Sequence, residues 1–229
     1  MHLLLFDIDG TLIASGGAGE KALRIALREQ FAVEDDFRSI EIAGRTDSGI
    51  ARRILERHQI PATEQNVSRF LEGYLAQLSL LLPQVPGRVL PGVVAMLDAL
   101  RTRKDFAVGL LTGNLVRGAQ LKLAHYGLWH HFPFGAFADD HHERNHLGPF
   151  AQSRAQAHHG IAFPPEKIWI LGDTPHDIAC ARAIGARALA VATGIFSLDA
   201  LEPHQPDLLL EDLSEGAALL DTLCSPSAR

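Results

Sequence analysis

The chain has 229 residues, is 47% hydrophobic and 21% charged, and carries a formal net charge of −6. Such a length suits one large domain or two small ones around a full core, and the acidic balance gives no reason to expect nucleic acid or an anionic membrane as a partner. Two cysteines, Cys180 and Cys224, fit free thiols in a reducing cytoplasm better than a disulfide, and the first apolar run meets acids too early for a secretory leader or a membrane span.

That first run, Leu3-Leu4-Leu5-Phe6, leads into Asp7-Ile8-Asp9-Gly10-Thr11. It reads as a buried strand, with Gly-Thr as its exit turn. Asp7 and Asp9 stand two residues apart at the exit. Carboxylates so close repel unless a cation or a phosphoryl group lies between them, which suggests a phosphate or Mg²⁺ site. An acidic strand-end turn without function is the plainer alternative.

Ser15-Gly16-Gly17-Ala18-Gly19-Glu20-Lys21 follows. It lacks the adjacent Gly-Lys-Ser/Thr of a nucleotide-binding loop and reads instead as a hinge. Ala22, Ile25 and Ala26, then Ile50, Ile54 and Leu55, then Val67 through Leu82 recur at helical spacing. Between them, Gly44-Arg45-Thr46-Asp47 precedes a helix expected near Ser48. Arg45 could read an anionic group of a ligand, or the segment could be a plain helix start capped by Asp47. Pro83, Pro86-Gly87 and Pro91-Gly92 punctuate the return. Residues 15–87 therefore read as a helical insertion, and residues 1–14 plus 88–229 as the core.

Beyond it, Phe106–Leu111 runs into Thr112-Gly113-Asn114, and helical stretches are expected over Leu115–Tyr126, Leu147–His159 and Pro175–Ile184. Ile168–Leu171 runs into Gly172-Asp173-Thr174, with Asp177 four residues after Asp173. Ala188–Val191 and Leu208–Leu210 are further apolar runs, and Ser225–Arg229 reads as a disordered tail. Continuous apolar strands alternating with helices predict an α/β fold, a doubly wound, Rossmann-like parallel sheet, with the all-α insertion as a cap. Ligands of such sheets bind beyond the carboxyl ends of the strands. Eight of twelve histidines fall between His125 and His159, but their spacing matches no compact zinc pattern.

Asp7-Ile8-Asp9-Gly10-Thr11, Leu111-Thr112-Gly113-Asn114 and Gly172-Asp173-Thr174-Pro175-His176-Asp177, in that order, resemble the haloacid dehalogenase-like hydrolase superfamily, in its phosphoglycolate phosphatase-like subgroup with a helical cap. The likeness spans residue 3 to about residue 195. It implies a phosphatase acting on a small phosphorylated metabolite, with Asp7 as nucleophile and Asp9 as acid then base. It implies Mg²⁺ held by Asp7, Asp173 and the Asp9 carbonyl, with Asp177 beside them. Thr112, whose plainer role is a helix cap, and the Gly113 and Asn114 amides would meet phosphate oxygens.

The chain departs from the family's usual Lys-Pro pair before the third motif and offers Arg144-Asn145 instead. Arg144 is expected as the basic phosphate ligand over Lys122, which should stand about 12 Å of helix rise from the site. A phosphosugar mutase keeps the same carboxylates and is the alternative enzyme. Asp9 argues against a dehalogenase, and Lys21, the one lysine of the insertion, gives only thin support to a phosphonate-cleaving relative. The intact Asp7, Asp9 and Asp173 argue against a non-catalytic binding protein.

Overall fold

The structure, a computed structural model, describes residues 1–224. Its sheet grows outward from β1 (His2–Phe6). Successive strand side chains point to opposite faces, so Leu4 and Phe6 enter one buried cluster and Leu3 and Leu5 another. The chain then forms the short strand β2 (Ile13–Ala14), three helices α1 (Ala18–Phe31), α2 (Asp47–Arg57) and α3 (Glu64–Leu81), and β3 (Arg88–Val89), which pairs antiparallel with β2. This two-stranded ribbon marks where the chain leaves the sheet region and returns to it.

Helix and strand alternate thereafter: α4 (Val93–Thr102), β4 (Phe106–Leu111), α5 (Val116–His125), β5 (Gly135–Ala136), α6 (Gly148–His159), β6 (Ile168–Gly172), α7 (Pro175–Ala183), β7 (Arg187–Val191), α8 (Leu198–Leu201), β8 (Leu208–Leu210) and α9 (Gly216–Leu223). The six-stranded sheet has the order β5-β4-β1-β6-β7-β8, with every neighbouring pair parallel. One face packs on Leu97, Leu123 and Leu220 of α4, α5 and α9; the other packs on Ala151, Ala155 and Ile178 of α6 and α7. The fold is thus the doubly wound sheet that the continuous apolar runs imply.

Strand order reverses at β1, where Phe6 lies opposite Leu110 on one side and Leu171 on the other. That register brings Asp7, Thr112 and Asp173 to one carboxyl edge, the usual ligand position in such sheets. Over this edge lie α1, α2 and α3, whose Ala26, Ile54, Phe70 and Leu78 belong to a third cluster of buried residues. The N-terminus of α2 is bonded to the core: the Asp47 amide donates to the Gly113 carbonyl at 2.6 Å, and the Ser48 hydroxyl donates to the Ala138 carbonyl at 3.1 Å.

Several elements differ from the sequence reading. The β2–β3 ribbon and β5 are two residues long each, too short to leave a periodic pattern. Gly172 and Arg187 extend their strands by one residue, and α5, α6 and α7 are each one or two residues shorter than expected. Gly16 and Gly17 adopt positive φ angles of 63° and 80° and turn the chain into α1. Cys180 and Cys224 are both free. No described helix is long and apolar enough to cross a membrane. The expected disordered tail, Ser225–Arg229, lies outside the described residues.

Candidate active site

Asp7 follows β1 directly, and its amide donates to the Leu171 carbonyl at 2.9 Å. The turn beyond it needs Gly10, which has φ 81° and where a Cβ would fall 2.3 Å from an Asp173 carboxylate oxygen. This close approach brings carboxylate oxygens of Asp7, Asp173 and Asp177 within 4.8 Å of one another, all three residues buried. One cation faces them: Arg144 Nη2 lies 3.0 Å from Asp7 Oδ1 and 2.5 Å from Asp177 Oδ1. Burial pushes the Asp7 carboxyl up to about 6, against the pull of Arg144, and it pushes Asp173 well above the ordinary range.

Three buried carboxylates against one guanidinium leave a site short of positive charge. Asp177 is already engaged, since Oδ2 accepts from the Thr174 amide at 3.0 Å and hydroxyl at 2.7 Å, closing the capping box of α7. Asp173 accepts one bond, from the Thr11 hydroxyl at 3.2 Å. A hard divalent cation that prefers a few carboxylate oxygens plus water fits Asp7 and Asp173, with Asp177 behind them.

Asp9 lives in different surroundings. Its carboxylate does not share a cation position with that of Asp7, as the spacing of the two acids suggested, but turns toward α5. There it accepts from Lys122 Nζ at 2.5 Å, Asn114 Nδ2 at 3.0 Å and the Ser15 hydroxyl at 3.3 Å. Burial would raise its pKa, but the Lys122 charge and these hydrogen bonds carry it below the ordinary value. Lys122 also donates to Asn114 Oδ1 at 2.6 Å. Its ammonium stays charged despite burial, because Asp9, Tyr74 and Asp47 surround it.

The expectation that Lys122 stands out of reach is therefore corrected. Helix α5 begins at Val116, which leaves only about 9 Å of rise. Helical side chains also lean toward the N-terminus, so the lysine stem returns toward the site. Both basic candidates are present, each paired with one of the two motif aspartates.

Thr112 is fully buried, and its hydroxyl accepts from the Asn114 amide at 3.3 Å and side chain at 2.8 Å. It does not cap α5, whose N-cap position is Leu115. Gly113 is required where it stands, since a Cβ there would lie 2.0 Å from the Arg45 carbonyl oxygen. Arg45 is held by Glu41, with Nε 2.8 Å from Oε2. Thr46, not Asp47, caps α2, by accepting from the Gly49 amide at 3.0 Å. Asp47 instead accepts from the Leu115 amide at 2.8 Å, and burial pushes its carboxyl up to about 6.

Asp47, Tyr74, Thr11 and Ser15 are the site residues that sequence reasoning missed. Tyr74 read there as one more apolar position of a helical stripe. Of the histidines, His141 and His146 gather with Glu143 on the surface beside Arg144. Lys21 is exposed and lines a separate depression with Arg24 and Arg28.

A cavity of about 590 Å³ opens between α1, the α1–α2 connection and α2 on one side and the sheet edge on the other, and Asp7, Asp9, Asn114, Lys122, Arg144 and Asp173 are among its lining residues.

Comparison with known proteins agrees with this architecture. A family model described as haloacid dehalogenase-like hydrolase matches residues 4–182. “Probable phosphatase IndB” of Dickeya dadantii is 31% identical over 98% of this chain and 97% of its own length. A phosphoglycolate phosphatase of Synechococcus elongatus is 27% identical over 94% of this chain and 95% of its own. The crystal structure of a hydrolase from Pseudomonas syringae superposes with a TM-score of 0.77 at 21% identity, covering 98% of this chain and all of that one (100%).

Proposed function

The chain belongs to the haloacid dehalogenase-like hydrolase family, and from that membership and the site's electrostatics we propose that it is a Mg²⁺-dependent phosphatase of a small phosphorylated metabolite, working through a phosphoryl group on Asp7. The observation that carries this reading is the contrast between two aspartates two residues apart. Asp7 sits among carboxylates that call for a cation, whereas Asp9 is held by a lysine on the other side of the turn. In this reading one attacks phosphorus and the other moves a proton.

In the first step an Asp7 oxygen attacks phosphorus as the bond to the alcohol oxygen breaks, and Asp9 gives that oxygen its proton. In the second, water loses a proton to Asp9 and attacks the same phosphorus, which frees phosphate and restores the Asp7 carboxylate. Asp9 must be protonated to begin, yet Lys122 holds it ionised in the free protein. An arriving phosphate dianion competes for Lys122, and a weakened Asp9–Lys122 pair lets Asp9 take a proton. Arg144 Nε is buried without a partner and is the unspent donor on the other side of the site. Asp7, Asp173 and the Asp9 carbonyl, with Asp177 behind, would hold Mg²⁺, which supplies the positive charge that lets an anionic carboxylate approach an anionic phosphoryl group.

Residues 15–87 act in this reading as a cap over the active site, joined to the core of residues 1–14 and 88–229 through the β2–β3 ribbon. The test is phosphate release from p-nitrophenyl phosphate by the purified protein. Release that needs Mg²⁺ and stops in excess EDTA is expected, and full activity in EDTA would overturn the reading.

A further inference from the structure

The cavity is larger and more apolar than a two-carbon acid requires. At about 590 Å³ it has room for roughly twenty waters at ~30 Å³ each, and it falls in the size range that encloses whole organic ligands. The wall opposite the aspartates is built from Leu23 and the α1–α2 connection, with Phe37, Ile40 and Ile42, and from Ile50 of α2. From the core side, Ile195 and Phe196 close the rim, and Ile195 is 78% exposed, an apolar side chain left in water at the mouth of a polar site. Scattered exposed apolar residues need no explanation. One that continues an apolar wall across the opening of a cavity does.

The charges on that wall point the same way. Four cations line the cavity: Lys122, Arg144, Arg45 and Arg38. Lys122 and Arg144 are bound to the motif aspartates. Arg45 is held by Glu41, and Arg38 lies 3.1 Å from Asp36. Every cation outside the phosphoryl site already has a carboxylate partner, and Glu20 adds a further acid to the lining. A substrate carboxylate placed here would have to compete with Glu41 for Arg45, or with Asp36 for an Arg38 side chain that is itself in solvent.

We propose that the substrate is a phosphate monoester of an alcohol with a bulky apolar or aromatic body and no second anionic group, rather than a small phosphorylated acid such as phosphoglycolate. Ile40, Ile42 and Ile195 would pack against that body, and Glu41 would compete with any second anionic group for Arg45. This rests on the phosphatase reading above.

The experiment compares kcat/KM for phenethyl phosphate, glycerol phosphate and phosphoglycolate, chosen so that an activated aryl leaving group does not decide the ranking. Phenethyl phosphate is expected to exceed phosphoglycolate at least tenfold, with glycerol phosphate between them. Ile42→Ala should reduce the phenethyl advantage several-fold, since apolar contact area is lost. Glu41→Gln, which leaves Arg45 unneutralised, should narrow the gap by raising turnover of phosphoglycolate. Equal or better turnover of phosphoglycolate by the wild type would overturn this inference and leave the phosphatase reading standing. Release of phosphate from none of the esters with Mg²⁺ present would overturn both.

Discussion

Asp7 and Asp9 illustrate how far two neighbouring carboxyls can be driven apart by what faces them. Burial raises Asp7 to about 6, while Lys122 and its companions hold Asp9 low. If Asp7 is the nucleophile, its amide counterpart in Asp7→Asn keeps the shape and loses the attack. Steady-state phosphatase activity should fall by on the order of a thousandfold or more with an unchanged circular dichroism spectrum. Activity within tenfold of wild type would remove Asp7 from the mechanism. Lys122 and Arg144 divide the positive charge between the two carboxyls, so both truncations should be severe. Lys122→Ala is expected to cut kcat/KM at least a hundredfold, roughly 2.7 kcal/mol of transition-state stabilisation. Arg144→Ala should do likewise and in addition lower thermal stability, by roughly 3–5 kcal/mol, because it strips the counter-charge from buried Asp7 and Asp177. A Lys122→Ala enzyme within tenfold of wild type would show that its bond to Asp9 has no catalytic role.

Among the elements, α5 is the one through which the insertion meets the chemistry. Its Lys122 is packed beneath Asp47 of α2 and Tyr74 of α3, and the Leu115 amide at its start is bonded to Asp47. The position of the helical layer is therefore felt by the lysine that holds Asp9. Asp47→Asn keeps an acceptor for the Leu115 amide but removes a negative charge beside Lys122, so activity should drop about tenfold with little change in melting temperature. Asp47→Ala leaves that amide unpaired and should also cost about 1–3 kcal/mol of stability by denaturant unfolding. Equal melting temperatures and activities for the two variants would show that Asp47 is only a packing residue. This coupling was hidden in the sequence. The strands β1, β4, β6 and β7 are legible because a strand buried on both faces must be apolar throughout, and Asp7, Thr112 and Asp173 are legible because each stands where such a run stops. Lys122 was legible as a residue but not as a neighbour of Asp9, since reach depends on where α5 starts and how its axis is aimed. Tyr74 is indistinguishable, in a helical stripe, from the leucines around it. The β2–β3 ribbon and β5 leave no pattern at two residues each.

For the whole molecule, the acidic cluster links folding to proton binding, and to metal binding in the function proposed above. Asp7 has a folded pKa near 6 and an ordinary one near 3.8. Asp173 is raised in the same direction. Between those values the folded state binds more protons at these two sites than the unfolded chain does, so without a cation their contribution to stability is present below about pH 4 and is lost as pH rises through 6. A divalent cation bound there would reverse the cause, because it would replace the protons that Asp7 and Asp173 hold. Its binding should release protons in that window and strengthen as pH rises through 6. Differential scanning fluorimetry with and without millimolar Mg²⁺ checks this apart from any activity, with a rise in melting temperature expected to be large at pH 7.5 and small at pH 5. The rise follows RT ln(1 + [L]/Kd), so a tenfold tighter site at the higher pH adds roughly 1.4 kcal/mol at saturating metal. Asp173→Asn should abolish most of the Mg²⁺ effect. It should also flatten the metal-free decline, since one of the repelling carboxylates is gone. A Mg²⁺ shift that is equal at both pH values, or that survives Asp173→Asn, would place the cation elsewhere. Asp7 would then be left to face the phosphoryl group with Arg144 alone.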